Sequence, residues 1–73
     1  MRIEQLQYLI AIHEYHSIRK AAERLFISQP AISKAIHLLE DEFGIPLVER
    51  DNQGALLTEK GVRLVELSKN FLS

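Results

Sequence analysis

The sequence contains no cysteine, only two prolines, and few aromatic residues, namely two tyrosines and three phenylalanines. Without cysteine, the chain can form neither a disulfide nor a zinc site with thiolate ligands. No apolar run approaches the roughly 20 residues that a membrane-spanning helix needs. The N-terminal segment is amphipathic and carries Arg2 and Glu4, unlike a signal peptide. These absences favour a cytoplasmic protein that does not contact a membrane.

The size of the chain also limits what it can be, because 73 residues form one domain at most. A domain of this size buries only roughly 60% of its unfolded surface, so its stability is marginal. Hydrophobic residues make up 47% of the chain, which is typical of a globular protein. Additional stability would have to come from tight helix packing or from a partner chain.

Four segments carry hydrophobic residues at helical spacing. The first covers about residues 3–15, and its predicted apolar face consists of Ile3, Leu6, Leu9, Ile10 and His13. The second follows Ser17, a favourable N-cap, and runs through Ile18, Ala21, Ala22 and Leu25. Only residues 26–28 separate it from the third, which predicts two helices that cross steeply.

The third predicted helix begins after Ser28, another N-cap, and has Pro30 in its first turn, where a missing N–H costs nothing. It should end at Phe43, because Gly44 can adopt the left-handed conformation and Pro46 follows shortly after. The segments 47–50 and 55–57 flank Asp51-Asn52-Gln53-Gly54, a pattern that predicts a short hairpin. Gly54 would supply a positive φ in its turn.

The last predicted helix is capped by Thr58, with Glu59 in its first turn where the helix dipole favours an acid. No C-capping pattern precedes Ser73. We therefore expect the chain to end inside a helix of a longer protein. The expected fold is mainly α, with three helices, a β-hairpin wing and a C-terminal linker helix.

The two sides of the third helix differ in chemistry. On a helical wheel, the core side holds Ile32, Ala35, Ile36, Leu39 and Phe43. The opposite side holds Pro30, Ser33, Lys34 and His37, with Gln29 at its edge. Small hydrogen-bonding groups and a cation on such a face suit the DNA major groove, which admits an α-helix.

The residue types on this outward side predict specific contacts. Gln29 could pair with adenine, Lys34 with guanine or a phosphate, and Ser33 with either base type. The N–H groups at the helix start could bind a phosphate. A polar outer side also occurs on ordinary surface helices, so the tight two-helix turn followed by a hairpin is what favours DNA.

The net charge of −1 is unusual for a nucleic-acid-binding domain. The cations are nevertheless concentrated near the outward side, at Arg19, Lys20, Lys34 and Arg50. The acidic residues 40–42 follow about 15 Å up the helix axis, where we expect a solvated helix end. This arrangement is compatible with DNA binding and predicts a modest affinity for a single copy.

The segment AAERLFISQPAISKAIHLLEDEFGIPL, from Ala21 to Leu47, closely resembles the N-terminal domain of LysR-type transcriptional regulators. The resemblance continues through Glu49-Arg50 and Leu57-Thr58-Glu59-x-Gly61, and it includes Leu6-x-Tyr8-Leu9 in the first helix. It implies a winged helix-turn-helix within residues 1–57, with the helix-turn-helix at about 18–37 and the wing at about 47–57. Residues 58–73 would begin the linker helix, which dimerises in this family.

The resemblance also implies roles for individual residues and for the missing part of the protein. The base-reading positions would be Gln29, Pro30, Ser33 and Lys34, to which the helical wheel adds His37. The positions near the DNA backbone would be Ser28, Arg50 and Thr58, to which the charge pattern adds Arg19 and Lys20. The domain itself would need no cofactor. A small-molecule effector would bind a C-terminal domain that this chain lacks, and the full-length protein would be a bacterial dimer or tetramer.

Three positions depart from the family pattern. Position 34 is usually arginine, and Lys34 lacks its bidentate fork. Position 37 is often basic, whereas a histidine is mostly neutral at pH 7. In the wing, Gln53 and Leu56 occupy positions that commonly hold cations. These departures predict weaker electrostatic binding and leave minor-groove contact by the wing open.

The last helix carries more apolar residues than one packed face requires. We expect part of them to form a two-fold dimer interface, comprising Val62, Val65, Leu67, Phe71 and Leu72. The alternative is a helix that is buried entirely within one domain.

Other sites and functions are less well supported. His13 and His16 could share a metal ion, but no third ligand is evident. The serines lack a histidine and aspartate arrangement, so no catalytic set is visible. Tyr8, Tyr15, Phe26 and Phe43 are expected to be core residues. A winged helix used for protein contact without DNA is the main alternative function, and an enzyme is a remote one.

Overall fold

The structure is a computed structural model that describes the backbone of residues 1–51 and 54–72 and the side chains of residues 1–50 and 54–70. Three helices come first, α1 (Ile3–Tyr15), α2 (Ile18–Leu25) and α3 (Gln29–Phe43). A two-stranded sheet of β1 (Val48–Asp51) and β2 (Gly54–Leu57) follows, and α4 (Glu59–Leu72) completes the order. This order confirms the predicted mainly helical, winged fold.

Polar side chains cap the starts of three helices, as predicted. The Ser17 hydroxyl accepts from the Lys20 N–H at 3.1 Å, and the Ser28 hydroxyl accepts from the Ala31 N–H at 3.2 Å. The Thr58 hydroxyl accepts from the Gly61 N–H at 3.1 Å. These bonds satisfy N–H groups that have no partner within the helix itself, and they fix where each helix begins.

The turn between α2 and α3 contains Phe26, which has the left-handed conformation with φ of 58°. The Ile27 N–H then donates to the Ala22 carbonyl at 3.1 Å, which closes the end of α2. The Phe26 side chain is 93% exposed, and that of Phe43 is 43% exposed. The prediction that both are core residues is wrong, because each lies where its helix ends. Tyr8 and Tyr15 do pack against the core.

The core lies where the helices meet. Its fully buried large side chains are Leu9, Ile12, Ile32, Ile36, Leu39, Leu47 and Val65. The predicted apolar face of α1 is rotated relative to the side that the structure buries. Leu6, Leu9 and Ile12 are buried, whereas Ile3 is 61% exposed. The steps from Leu6 to Leu9 and from Leu9 to Ile12 form the packed stripe. Ile3 lies about 120° around the helix from Leu9, at the edge of this stripe.

The antiparallel hairpin pairs Val48 with Leu57 and Arg50 with Ala55. Gly54 has the predicted positive φ, 149°, and it pairs with Asp51 as a strand residue. A Cβ atom here would overlap the carbonyl oxygen of His16, which accepts the Ala55 N–H at 3.1 Å. Close approach of the hairpin to the end of α1 is therefore a second reason for this glycine. Asn52 and Gln53 lie outside the described residues.

The last helix packs closely on the end of the α3–β1 loop. The Thr58 N–H donates to the Leu47 carbonyl at 2.9 Å, and the Thr58 hydroxyl donates to the Pro46 carbonyl at 2.8 Å. Gly61 permits this approach, since a Cβ atom there would overlap the Leu47 carbonyl. Among the residues that the structure describes, no helix is long and apolar enough to cross a membrane.

Candidate nucleic-acid interface

The recognition-type helix α3 has three sides with different surroundings. Its core side is buried at Ile32, Ile36 and Leu39. Its outward side is exposed at Pro30, Lys34 and His37, as predicted. Ser33 differs from these three, because it is half-buried and faces the hairpin. The prediction that Ser33 belongs to the exposed outward side is therefore wrong.

Two hydrogen-bonded contacts tie the hairpin region to this third side of α3. The Arg50 guanidinium donates from Nη2 to the Ser33 hydroxyl at 3.0 Å. Two turns further on, the Glu40 carboxylate accepts the N–H groups of Leu47 at 2.7 Å and Val48 at 3.2 Å. The contacts are about 10 Å apart along the helix, so they hold the wing in one orientation against α3.

The three acidic residues at the end of α3 differ in their surroundings. Asp41 and Glu42 are exposed, as the prediction of a solvated helix end requires, and Glu42 pairs with the N-terminal ammonium. For Glu40 the prediction is wrong, because its carboxylate holds two backbone N–H groups of the α3–β1 loop and β1. Sequence alone could not show this, since the partners follow a chain reversal at Gly44.

A cleft of about 350 Å³ opens between the start of α2, the start of α3 and the hairpin, and we call it the wing-side cleft. Its polar lining comes from Ser17, Arg19, Gln29, Ser33 and Arg50. The structure thus brings together residues that the sequence assigned to two roles, base reading for Gln29 and Ser33, and backbone contact for Arg19 and Arg50. Among the described residues that line it, none has an acidic side chain.

A second cleft, of about 470 Å³, lies on the other side of α3 and is called here the α1-side cleft. Lys34 lines it together with Arg2, Glu4, Gln5 and Tyr8. Lys34 therefore lies on the opposite edge of the helix from Ser33. Arg2, Gln5 and Tyr8 could not be predicted as neighbours of the outward side, because helical periodicity does not show which helices pack side by side.

The cations near the outward side are available for an external anion. Arg19, Lys20, Lys34 and Arg50 are all exposed. Within the described side chains, the ion pairs join the N-terminus to Glu42 and Arg2 to Glu4, so none involves these four cations. Four of the nine lysine and arginine residues thus lie at the starts of α2 and α3 and on the wing, which supplies local positive charge despite the net charge of −1.

The two hydroxyl groups predicted near the DNA backbone differ in what they can still donate. The Ser28 hydroxyl accepts the Ala31 N–H and keeps its own hydrogen free for a phosphate. The single hydroxyl hydrogen of Thr58 is used for the Pro46 carbonyl. Thr58 is therefore a capping residue, and the prediction that its side chain contacts the backbone is not supported.

The predicted interface residues on α4 also differ in exposure. Val65 is 1% exposed within a single copy, so its prediction as an interface residue is wrong: it belongs to the domain's own core. Leu67 is 54% exposed and lines an apolar cleft of about 170 Å³ with Phe43 and Ile45. Val62 is half-buried. The side chains of Phe71 and Leu72 lie outside the described residues.

The suggested metal pair is present only as two neighbouring rings. The His13 and His16 ring centroids are 6.2 Å apart, in an edge-to-face arrangement. Within the described part of the chain, no group of three or more histidine, acidic or cysteine side chains could hold a metal ion.

The geometry defines a class of protein. Two helices joined by residues 26–28, an exposed polar side on the second of them and a hairpin held against it make this a winged helix-turn-helix domain. The family model for the bacterial regulatory helix-turn-helix proteins of the lysR family matches residues 3–62. The chain belongs to this family, and it is a helix-turn-helix DNA-binding domain of the LysR type. Members of this family regulate transcription and are not enzymes, so the remote enzyme alternative is excluded.

Curated relatives match almost the entire chain. The hydrogen peroxide-inducible genes activator of Haemophilus influenzae is 43% identical over 72 residues, which are 99% of this chain and 24% of that protein. The DNA-binding transcriptional dual regulator OxyR of Escherichia coli is 40% identical over 72 residues, with the same coverage. The chain therefore spans about a quarter of the length of these relatives.

Solved structures show the same fold. A crystal structure of the CbnR DBD–DNA complex has a TM-score of 0.93 at 38% identity, covering 99% of this chain and 83% of that one. The BenM DBD in complex with benA site 1 DNA has a TM-score of 0.91 at 36% identity, covering 99% of this chain and 84% of that one. Both of these similar structures contain DNA.

Proposed function

We propose that this domain binds specific sequences in duplex DNA by inserting the first turns of α3 into the major groove. The observation that carries the proposal is the exposed outward side of α3, which bears hydrogen-bonding groups and a cation. It lies next to arginines on α2 and the wing that form no ion pair within the described side chains. An α-helix with such a side fits the major groove and reaches base edges there. The CbnR and BenM complexes with DNA support this placement.

The proposed roles follow from exposure. Gln29, Lys34 and His37 read base edges, and Pro30 contacts the groove beside them. Arg19, Lys20 and Arg50 bind backbone phosphates, and Ser28 donates its free hydroxyl to one. Phosphate contacts fix the register of the protein on the duplex, whereas base contacts carry the sequence information.

We further propose that two copies bind together through α4, with Leu67 and Val62 in the interface and Phe71 and Leu72 extending it. The apolar cleft formed by Phe43, Ile45 and Leu67 supports this, because such exposed apolar surface usually marks an interface. Residues 1–57 would then form the DNA-binding unit, and residues 58–73 the start of a linker and dimerisation helix.

The remaining features of the full-length protein are proposals based on the family. They comprise a C-terminal domain that binds a small-molecule effector, a dimer or tetramer as the working assembly, and a location in the bacterial cytoplasm.

Titration of a labelled duplex at several salt concentrations tests DNA binding. The logarithm of the affinity should fall against the logarithm of the salt concentration by about 0.9 for each phosphate that the protein neutralises. A slope near zero would contradict electrostatic binding to DNA.

Two variants separate base reading from anchoring. The Gln29→Ala change should relax preference at one base position in each half-site, because an exposed hydrogen-bonding side chain at the helix start is lost. The Lys20→Ala change should weaken binding to all sequences equally and lower the salt slope by about one. If both variants behave alike, the proposed division of roles is wrong.

A further inference from the structure

We infer that Ser33 is a positioning residue that holds Arg50 at a phosphate-binding site in the wing-side cleft, and that it does not read a base. This inference rests on the proposed DNA binding and assigns Ser33 a different role within it. The observation behind it is the hydrogen bond from Arg50 Nη2 to the Ser33 hydroxyl at 3.0 Å.

The location of Ser33 separates it from the base-reading residues. Pro30, Lys34 and His37 are exposed, whereas Ser33 is half-buried on the side of α3 that faces the hairpin. It has the same orientation as Glu40, which holds the start of the wing from two turns away. The two residues form a line along α3 that contacts the wing.

The chemistry of the pair leaves Arg50 able to bind a phosphate. A guanidinium has five N–H donors in a planar fork, and Ser33 occupies one of its nitrogens. The remaining donors can form the paired hydrogen bonds that arginine makes with phosphate oxygens. An exposed arginine on a short hairpin would otherwise lose much rotamer freedom on binding, so a pre-formed contact with Ser33 reduces that loss.

The wing-side cleft has the composition of an anion site. Arg19 at the start of α2 and Arg50 on the wing both line it, together with Ser17 and Gln29. The α1-side cleft is different, because Glu4 lies beside its cations Arg2 and Lys34. A backbone phosphate is therefore favoured at the wing-side cleft, which two arginines line and where the described lining residues include no carboxylate.

The test measures DNA binding by wild type, Ser33→Ala, Ser33→Thr, Arg50→Ala and the double variant Ser33→Ala/Arg50→Ala. The duplex is one selected from a random library for binding to the wild-type chain. Alanine is the best helix former, so Ser33→Ala should leave the fold intact, which circular dichroism checks. Affinity is measured over a salt series and against duplexes with single base-pair changes.

We expect Ser33→Ala to reduce affinity about two- to tenfold, the range for one hydrogen bond, equally for every base-pair variant. The affinity of Ser33→Ala should also depend less steeply on salt. Ser33→Thr should restore affinity because the hydroxyl returns. In the double variant, Ser33→Ala should cause no further loss of affinity beyond that of Arg50→Ala. Placing a neutral methylphosphonate at each phosphate in turn should identify one position that affects wild type but not Arg50→Ala.

Several outcomes would overturn the inference. One is a change of preference at a single base pair in Ser33→Ala with an unchanged salt slope. Another is an effect of Ser33→Ala that is fully retained when Arg50 is already alanine. Failure of wild type to bind duplex DNA in a salt-dependent way would instead contradict the proposed function itself, so the two failures are distinguishable.

Discussion

At the scale of single residues, Lys34 and His37 on the outward side of α3 cannot form the paired hydrogen bonds that an arginine would form there. A lysine is a point charge on a flexible stem, whereas arginine binds guanine through two parallel hydrogen bonds. A histidine has two ring nitrogens and lacks the five-donor fork of arginine. Both side chains are exposed, so each can be replaced by arginine without loss of core packing.

We predict that Lys34→Arg tightens binding to the selected duplex about threefold to tenfold, because a second hydrogen bond to the same base or phosphate becomes available. Fluorescence anisotropy measures the change. The control is Lys69→Arg, which makes the same substitution at an exposed position on α4. Equal affinities for wild type and Lys34→Arg would contradict the placement of Lys34 in the groove.

The exposure of neighbouring residues on α4 shows the limit of sequence reasoning at this scale. Val65 and Leu67 are both apolar and two positions apart, and both were predicted in the interface. The structure buries Val65 in the domain's own core and leaves Leu67 more than half exposed. Since α4 has apolar residues on more than one side, only its packing against α1 and the hairpin decides which side is buried.

At the scale of elements, the helix boundaries could be predicted because capping is local. Ser17, Ser28 and Thr58 mark three helix starts by chemistry that acts within three residues. Gly44 marks the end of α3 in the same way, with φ of 68°. The hairpin was also predictable from its flanking hydrophobic segments and Gly54.

The relations between elements could not be predicted in the same way. The rotated face of α1, the contact of Glu40 with the wing and the two clefts beside α3 all depend on which elements pack together. Hydrophobic periodicity predicts the apolar side of each helix separately, but it does not show which other elements pack against that helix. The exposure of most candidate site residues could therefore be predicted, whereas their grouping into two clefts could not.

The Glu40 carboxylate is the element-scale contact with the clearest energetic consequence. We predict that Glu40→Ala lowers the free energy of unfolding by about 2–3 kcal/mol, because two part-buried N–H groups lose a charged acceptor. The control Asp41→Ala truncates an exposed carboxylate one residue away and should change stability by no more than about 0.5 kcal/mol. Urea denaturation followed by circular dichroism measures both, and equal effects would show that the contact with the wing is unimportant.

At the scale of the whole molecule, a small core and one apolar surface cleft favour assembly. The structure spans 26 × 23 × 19 Å, and its fully buried large side chains are few. A domain of this size has marginal stability, and burying the cleft beside Leu67 against a second copy would add to it. Pairing would also place two recognition helices on one duplex and raise the apparent affinity of each weak half-site contact.

We predict that Leu67→Glu converts a dimer into a monomer in sedimentation experiments, because it places a charge in the proposed apolar interface while leaving the domain core untouched. The matched change Val65→Ala should instead destabilise the domain by about 2 kcal/mol, since it removes two methyl groups from a fully buried site. A wild-type chain that is monomeric at high concentration would refute the proposed interface.

The central claim is that the first turns of α3 read a specific DNA sequence, and selection from a random duplex library tests it most directly. The account predicts an enriched palindrome whose half-sites are separated by one or more helical turns, as a two-fold dimer requires. It also predicts that the same selection with Gln29→Ala loses preference at one position in each half-site while retaining the others. Recovery of unenriched sequences from a folded, dimeric wild-type protein would contradict it.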